Sequence, residues 1–161
     1  MAGLTLREAV LPDDEPHFRG FIDGLQDFEF RIEPNRRRDA TVAEEFLAAL
    51  MSDVLAKRGK IFVLEDETGV PAGWAVCFIE RDEVYVAEAQ RTYGLIAELF
   101  IEERVRGQSG GKRLIAACEE HFRALGVRQS ALGVVWGNLA ARGLYGSLGY
   151  NPVSLKMRRH L

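Results

Sequence analysis

Leu95-Ile96-Ala97-Glu98-Leu99-Phe100-Ile101 is followed without a break by Glu102-Glu103-Arg104-Val105-Arg106-Gly107-Gln108-Ser109-Gly110-Gly111-Lys112-Arg113-Leu114-Ile115. The first seven residues are apolar on both faces except at Glu98, the pattern of a strand in the middle of a sheet. A glycine-rich turn comes next. A helix then carries Leu114, Ile115, Cys118, Phe122 and Leu125 on one face, and Gly126 closes it as a C′ residue. A buried strand that passes through small residues into a helix N-terminus aims several backbone N–H groups, and the positive end of a helix dipole, at one spot. Such a spot suits a phosphate-bearing ligand.

Two familiar phosphate loops do not fit. The nucleoside triphosphatase loop needs four residues between its glycines and then Lys-Ser/Thr, whereas three residues separate Gly107 from Gly111 and Arg113 follows Lys112. The dinucleotide fingerprint needs Gly-x-Gly-x-x-Gly after the first strand, and this loop follows several strands.

Working outward, the N-terminal half reads as one strand, two helices and a hairpin. Leu4 to Val10 is a strand, and Asp13 stands where a helix N-cap is expected before Phe18, Phe21, Ile22 and Leu25. From Asp27 to Asn35 the periodicity is lost, which predicts a loop. Thr41 and Glu44 have the spacing of a capping box ahead of a helix with Leu47, Leu50, Met51, Val54 and Leu55, ended by Gly59. Ile61–Leu64 and Ala72–Glu80 form a hairpin around Asp66-Glu67-Thr68-Gly69. Arg81 to Gln90 is acidic and irregular. Beyond the central helix, Ser130 to Val135 is a strand parallel to the central one, because a helix intervenes. A helix begins after Asn138, itself placed as an N-cap. Val153, Leu155 and Met157 alternate with polar residues in a last strand.

Two segments carry a family resemblance. Arg106-Gly107-Gln108-Ser109-Gly110-Gly111-Lys112-Arg113-Leu114 resembles motif A of the GCN5-related N-acetyltransferases, Arg-Gly-x-Gly-x-Gly-x-x-Leu, with Ser109 in place of a glycine. Asn138-Leu139-Ala140-Ala141-Arg142-Gly143-Leu144-Tyr145-Gly146-Ser147-Leu148-Gly149-Tyr150 resembles that family's Asn-x-x-Ala-x-x-Leu-Tyr helix, in the right order. The resemblance implies an α/β (α+β) acyl-CoA N-acyltransferase fold: a mixed, mostly antiparallel sheet with a splayed parallel central pair, flanked by helices. The order βααβββαβαβ matches it over nearly the whole chain, read as one domain over residues 1–161.

The resemblance further implies acetyl-CoA as acetyl donor. Its pyrophosphate would rest on backbone N–H groups of Arg106, Gly107, Gln108, Ser109, Gly110, Gly111 and Lys112, and its pantetheine arm would pair with Leu99, Phe100 and Ile101. Asn138 commonly contacts that arm in the family. Tyr145 is the general acid by position, since a phenol with a pKa of about 10 stays protonated at neutral pH and can serve a leaving thiolate. A backbone N–H at a bulge near Leu99 would receive the thioester oxygen. Glu98 reads two ways: a buried carboxylate raised towards neutrality and fit to take a proton from an ammonium, or a solvated residue at a splayed strand end.

Acceptor contacts in this fold come from the first helices and the segment before the central strand, so Phe28, Glu29, Phe30 and Tyr93 are the leading candidates, with Arg31, Trp74 and Tyr85 behind them. The expected reaction is acetylation of a small molecule's primary amine by direct attack in a ternary complex. A protein or peptide lysine or N-terminus is the alternative acceptor, although the glutamate that some N-terminal acetylators carry before the Asn138 helix is replaced here near Gly133. A non-catalytic acyl-CoA-binding module is the alternative from another class.

Composition sets the remaining bounds. The 161 residues are 47% apolar, enough for a core, and the net charge of −3 offers nucleic acid no attraction. Arg36-Arg37-Arg38 reads as a solvated loop. Cys77 and Cys118 read as small core residues. Three scattered histidines predict no metal site. No apolar run suits a signal peptide or membrane span, so a cytoplasmic protein is expected. The resemblance leaves a homodimer open, with no interface signature visible.

Overall fold

The computed structural model describes residues 3–161. Its elements are β1 (Thr5–Glu8), α1 (Glu15–Ile32), α2 (Val42–Ala56), β2 (Lys60–Glu65), β3 (Pro71–Arg81), β4 (Thr92–Ile101), α3 (Gly110–Ala124), β5 (Ser130–Leu132) and α4 (Leu139–Ser147), with single 3-10 turns at Glu88–Gln90 and Glu103–Val105. The strands form one sheet in the order β1-β2-β3-β4-β5. Pairs from β1 to β4 are antiparallel, and β4 with β5 is parallel because α3 crosses between them.

Each face of the sheet is covered. Leu114, Ile115, Cys118 and Phe122 of α3 pack with Leu64, Ala72, Ala75, Cys77 and Ile96 on one side. Phe18, Phe21 and Ile22 of α1, with Leu47 and Leu50 of α2, pack on Val63, Trp74, Val76 and Phe78 on the other. Cys77 and Cys118 are buried free thiols, as their apolar settings led us to expect. No described helix is long and apolar enough to cross a membrane.

Several local expectations are corrected. Residues 27–32 are not a loop: α1 runs on to Ile32. Phe28 and Ile32 extend the 3–4 spacing of the inner face, while Phe30, which disguised that spacing, lies off it beneath the guanidinium of Arg38 at 4.5 Å. Asp14, not Asp13, precedes α1, and its carboxylate does not cap the helix. It instead accepts two bonds from Arg7, at 2.6 and 2.9 Å, and one from the Val10 N–H at 2.7 Å. Thr41 stands at the N-cap of α2, but its hydroxyl bonds Asp39 and Glu45, each at 2.8 Å, rather than closing a box with Glu44.

The largest departure is C-terminal. β5 stops at Leu132 instead of Val135, and residues 148–161 form no strand despite their alternation. Alternation specifies a face, but a strand also needs a neighbour to bond, and none lies beside this one.

The basic run is not simply solvated. Arg36 pairs with Glu29 at 2.7 Å, Arg37 with Asp39 and Glu45, and Arg38 with Asp27 at 2.8 Å. The three arginines therefore fasten the α1–α2 connection to both helices.

Candidate active site

β4 and β5 pair only from Gly94 to Ile96, against Ser130 to Leu132. Beyond Ile96 the strands part, and Ala97 to Ile101 have no neighbour on the β5 side. This is the expected splay, and it leaves an open run of backbone on β4.

A bulge sets the chemistry of that run. Val76 of β3 pairs with Glu98 and Cys77 with Ile96, so Ala97 is an extra residue in β4. It lies two residues before the expected position near Leu99. Strict alternation would put Glu98 on the α3 face with Gly94 and Ile96. The extra residue turns it instead to the α1 face, opposite Val76 and alongside Phe100, which pairs with Trp74.

There Glu98 is 9% exposed, and its Oε2 has no hydrogen-bond partner among the described residues. Burial pushes its pKa up to about 8, the nearby Glu29 carboxylate adds to the rise, and Arg36 opposes it. The solvated reading of Glu98 is thereby excluded. Trp74 Nε1, on the same face, is the other buried side-chain polar atom without a described partner. Trp74 itself is fully buried core, so it offers no open contact surface.

Tyr145 arrives from α4 on the opposite side of the splay, half-buried with Leu144 and Tyr150 against the α3-side core. Its pKa is pushed up to about 12 by burial first, then by Glu29 and Glu98. It therefore stays protonated and is electrostatically within reach of both carboxylates. The neighbouring Tyr150 hydroxyl is occupied, bonding Ser130 at 2.7 Å and Glu119 at 2.9 Å. Of the two, Tyr145 is the one whose hydroxyl has no described partner.

The loop after β4 is built for an anion. Gly107 has φ of 80° and Ser109 φ of 62°, and α3 starts at Gly110. No described backbone acceptor takes the N–H groups of residues 107–112, and the first turn of α3 carries no acidic side chain. A Cβ at Gly110 would lie 2.6 Å from Leu64 Cδ2 and 3.2 Å from Ile101 Cδ1, so the absent side chain lets the helix start sit directly on the strands. Ser109 occupies the left-handed conformation that glycine adopts freely. The Arg106 side chain turns away from this nest: its Nε donates to the Ile101 carbonyl at 2.9 Å, and its guanidinium lies between Phe28 and Phe100. Backbone nest and open strand edge together fit a ligand with a pyrophosphate and an extended amide-bearing arm.

Asn138 is the N-cap of α4, its Oδ1 accepting from the Ala141 N–H at 3.1 Å. Of the acceptor candidates, Phe28 and Glu29 stand near the C-terminal end of α1: Phe28 lies 5.8 Å from the Arg106 guanidinium, and Glu29, paired with Arg36, is near enough to Glu98 and Tyr145 to raise the pKa of each. Phe30 is instead turned outward under Arg38. Tyr93 is paired with Glu80, five residues down β4 from Glu98, which at about 3.3 Å per residue puts it well outside the site. Tyr85 is in an exposed loop. The acidic segment before β4 is largely self-neutralised, with Glu80 on Lys57 and Glu88 on Arg81 and Arg91. Arg36 was missed at the sequence level as a site residue. Its only signal was its place in a basic run, because its partner Glu29 sits seven residues away across a bend.

With this geometry in view, the relatives are informative. The Acetyltransferase (GNAT) family model matches residues 21–150. The chain belongs to that family. An uncharacterized N-acetyltransferase of Bacillus subtilis, YobR, is 34% identical over 62 residues, which is 38% of this chain and only a quarter of that protein's length. Among solved structures, a tetramutant of the BH1408 protein from Bacillus halodurans superposes with a TM-score of 0.81 at 21% identity, over 98% of this chain and 99% of that one. Glucosamine-6-phosphate N-acetyltransferase from Arabidopsis thaliana gives 0.69 at 19% identity over 98% and 97%. The aminoglycoside N-acetyltransferase AAC(6')-Iy in complex with CoA gives 0.72 at 18% identity over 100% and 96%. At these identities the likeness establishes the shared acyl-CoA N-acyltransferase fold.

Proposed function

We propose that this GNAT protein transfers the acetyl group of acetyl-CoA to the primary amine of a small molecule, by direct attack in a ternary complex. The observation that carries the proposal is Glu98: a buried carboxylate with an unpartnered oxygen, turned by a bulge towards the α1 side of a cleft whose other side presents Tyr145. A group with a pKa near 8 is suited to accept a proton from an ammonium at neutral pH.

Each residue then has a task. The N–H groups of residues 107–112 hold the pyrophosphate, the Arg106 N–H expected to join them being taken by the Glu103 carbonyl at 3.2 Å, and the open edge at Leu99 to Ile101 aligns the arm of acetyl-CoA, which supplies the thioester. The amine enters beneath the end of α1, between Phe28 and Glu29, and surrenders its proton to Glu98 Oε2. A backbone N–H at the Ala97 bulge stabilises the thioester oxygen as it becomes negative. The Tyr145 hydroxyl protonates the departing sulfur, and the second proton, shed by the nitrogen as the amide forms, restores the phenol. A small acceptor is favoured by the lack of a carboxylate near Gly133, and solved neighbours of this fold are named as acetylating an aminoglycoside and glucosamine 6-phosphate.

The test is release of CoA thiol from acetyl-CoA with a panel of small primary amines and lysine peptides. Amine-dependent release that falls sharply in Glu98→Gln supports the reading. Release with peptides alone would transfer the assignment to a protein acceptor, and none above hydrolysis would leave a binding module.

A further inference from the structure

Arg106 differs from the cations around it. Arg36 is taken by Glu29, and Arg104, two residues before it, by Asp66 and Glu102, but Arg106 has no carboxylate partner among the described residues. Neither end of the residue serves the phosphate nest. Its N–H bonds the Glu103 carbonyl, and its guanidinium lies on the α1 side of β4, between Phe28 and Phe100.

The side chain is exposed but held in place. Its Nε donates to the Ile101 carbonyl at 2.9 Å, and its guanidinium carbon lies 5.8 Å from the Phe28 ring centroid and 6.0 Å from that of Phe100. Phe100 is itself fixed. A Cβ at Gly24 of α1 would lie 2.5 Å from its Cζ, so the ring presses directly on the helix, and its centroid is 6.0 Å from that of Phe21. The Nε–H is spent on the backbone, while the two Nη atoms have no described partner. Those atoms form the fork that clasps a carboxylate or phosphate through parallel N–H bonds. Three residues of β4, about 10 Å at about 3.3 Å each, separate Glu98 from Ile101, whose carbonyl anchors the fork. One wall of the cleft thus offers a proton-accepting carboxylate at one end and an unpaired cation at the other.

We propose that the acceptor is a primary amine that also carries an anionic group, a carboxylate or a phosphate, which the Arg106 guanidinium holds while the amine faces Glu98. Naming the occupant an acceptor rests on the acetyl-transfer reading above, whereas the anion subsite rests on Arg106 alone. The pairing fixes the direction in which the substrate lies, with its amine towards the Ala97 bulge and its anion towards the end of β4. It also sets specificity. A plain alkylamine leaves the fork unused, and a diamine brings a second ammonium against the guanidinium, where like charges repel. Glu29 does not compete for the fork, because Arg36 already neutralises it.

The test is calorimetric titration of the chain, with and without CoA, using a homologous series of ω-amino acids and aminoalkyl phosphates. Each is set beside the unsubstituted alkylamine of the same length, in the parent and in Arg106→Gln. In the parent the anionic member of a pair should bind at least tenfold more tightly, and the carboxylate and phosphate arms show which anion is preferred. In Arg106→Gln, whose circular dichroism should match the parent because the side chain is exposed, the two members should bind alike. Thiol release from acetyl-CoA with the same pairs keeps the two readings apart. Anion-dependent binding that the substitution abolishes, without release from any amine, supports the subsite and contradicts acetyl transfer alone. Release at equal kcat/KM from both members of every pair supports acetyl transfer and overturns the subsite. A parent that binds paired amines equally, or an Arg106→Gln variant that keeps the preference, overturns the proposal. So does a variant that loses CoA affinity with the preference intact, which would put the guanidinium on the phosphates of CoA.

Discussion

At Glu98 a carboxylate is held where its ionised form is disfavoured, and this has two consequences of opposite benefit. Its folded pKa of about 8 lies above the ordinary glutamate value of about 4.3. Between those two values the native chain binds more protons than the unfolded one, so stability falls as pH rises through the window. Glu98→Gln should remove that slope, with the variant gaining on the parent by up to about 1.4 kcal/mol per pH unit there. Denaturant melts at pH 5, 7 and 9 read this directly, and equal slopes for both proteins would show that Glu98 is solvated. Activity should move the other way. The parent's kcat/KM should rise with pH to a plateau above about 8, and two amines of different basicity separate this limb from ionisation of the acceptor. In Tyr145→Phe, turnover should drop about 100-fold with acetyl-CoA affinity retained. An unchanged kcat would take Tyr145 out of the mechanism. Ser109, with φ of 62°, bears a strain that glycine would not. Ser109→Gly should stabilise the fold by up to about 1 kcal/mol, read by urea midpoint, with CoA binding maintained.

Among the elements, the start of α3 and the bulge in β4 do most to form the site. Gly110→Ala would thrust a methyl group against the fully buried Leu64 and against Ile101. The expected cost is about 1–3 kcal/mol of stability, accompanied by weaker CoA binding as the helix start lifts from the strands. A calorimetric titration in which Gly110→Ala matched the parent would mean that the nest tolerates that shift. The strand-loop-helix unit was legible from residues 95–115 because apolar patterning and glycine spacing are local signals. The bulge was expected from family resemblance but misplaced by two residues, since an extra residue shows only against the partner strand. The burial of Glu98 was one of the two readings its place in an apolar strand allowed, and the choice between them depended on the bulge, which the sequence did not locate. The end of α1 was misread because Phe30 obscured the helical period, and its real neighbour, Arg38, comes from beyond the helix. Asp14, one residue beyond the expected cap, and Thr41, at the expected one, both precede helices, but other charges draw their side chains away.

At the scale of the whole molecule, the proposed site lies where one parallel strand pair parts. Four antiparallel strands make a platform, α1 and α2 close one face, α3 and α4 the other, and the two faces communicate where β4 loses β5. Glu98 approaches that opening from one face and Tyr145 from the other, the arrangement on which the proposed meeting of amine and acetyl donor rests. This layout was legible from element order and the two motifs. The unpaired tail was not, because alternation at Val153 to Met157 specifies a face without supplying a neighbouring strand to bond. The most direct measurement on the central claim is a calorimetric titration of the folded chain with acetyl-CoA and with CoA, repeated on Gly107→Val and Gly111→Val. The account predicts one site for each ligand in the parent and loss of binding in both variants, with circular dichroism showing them folded. A folded parent that binds neither ligand, or variants that bind as it does, would contradict the account.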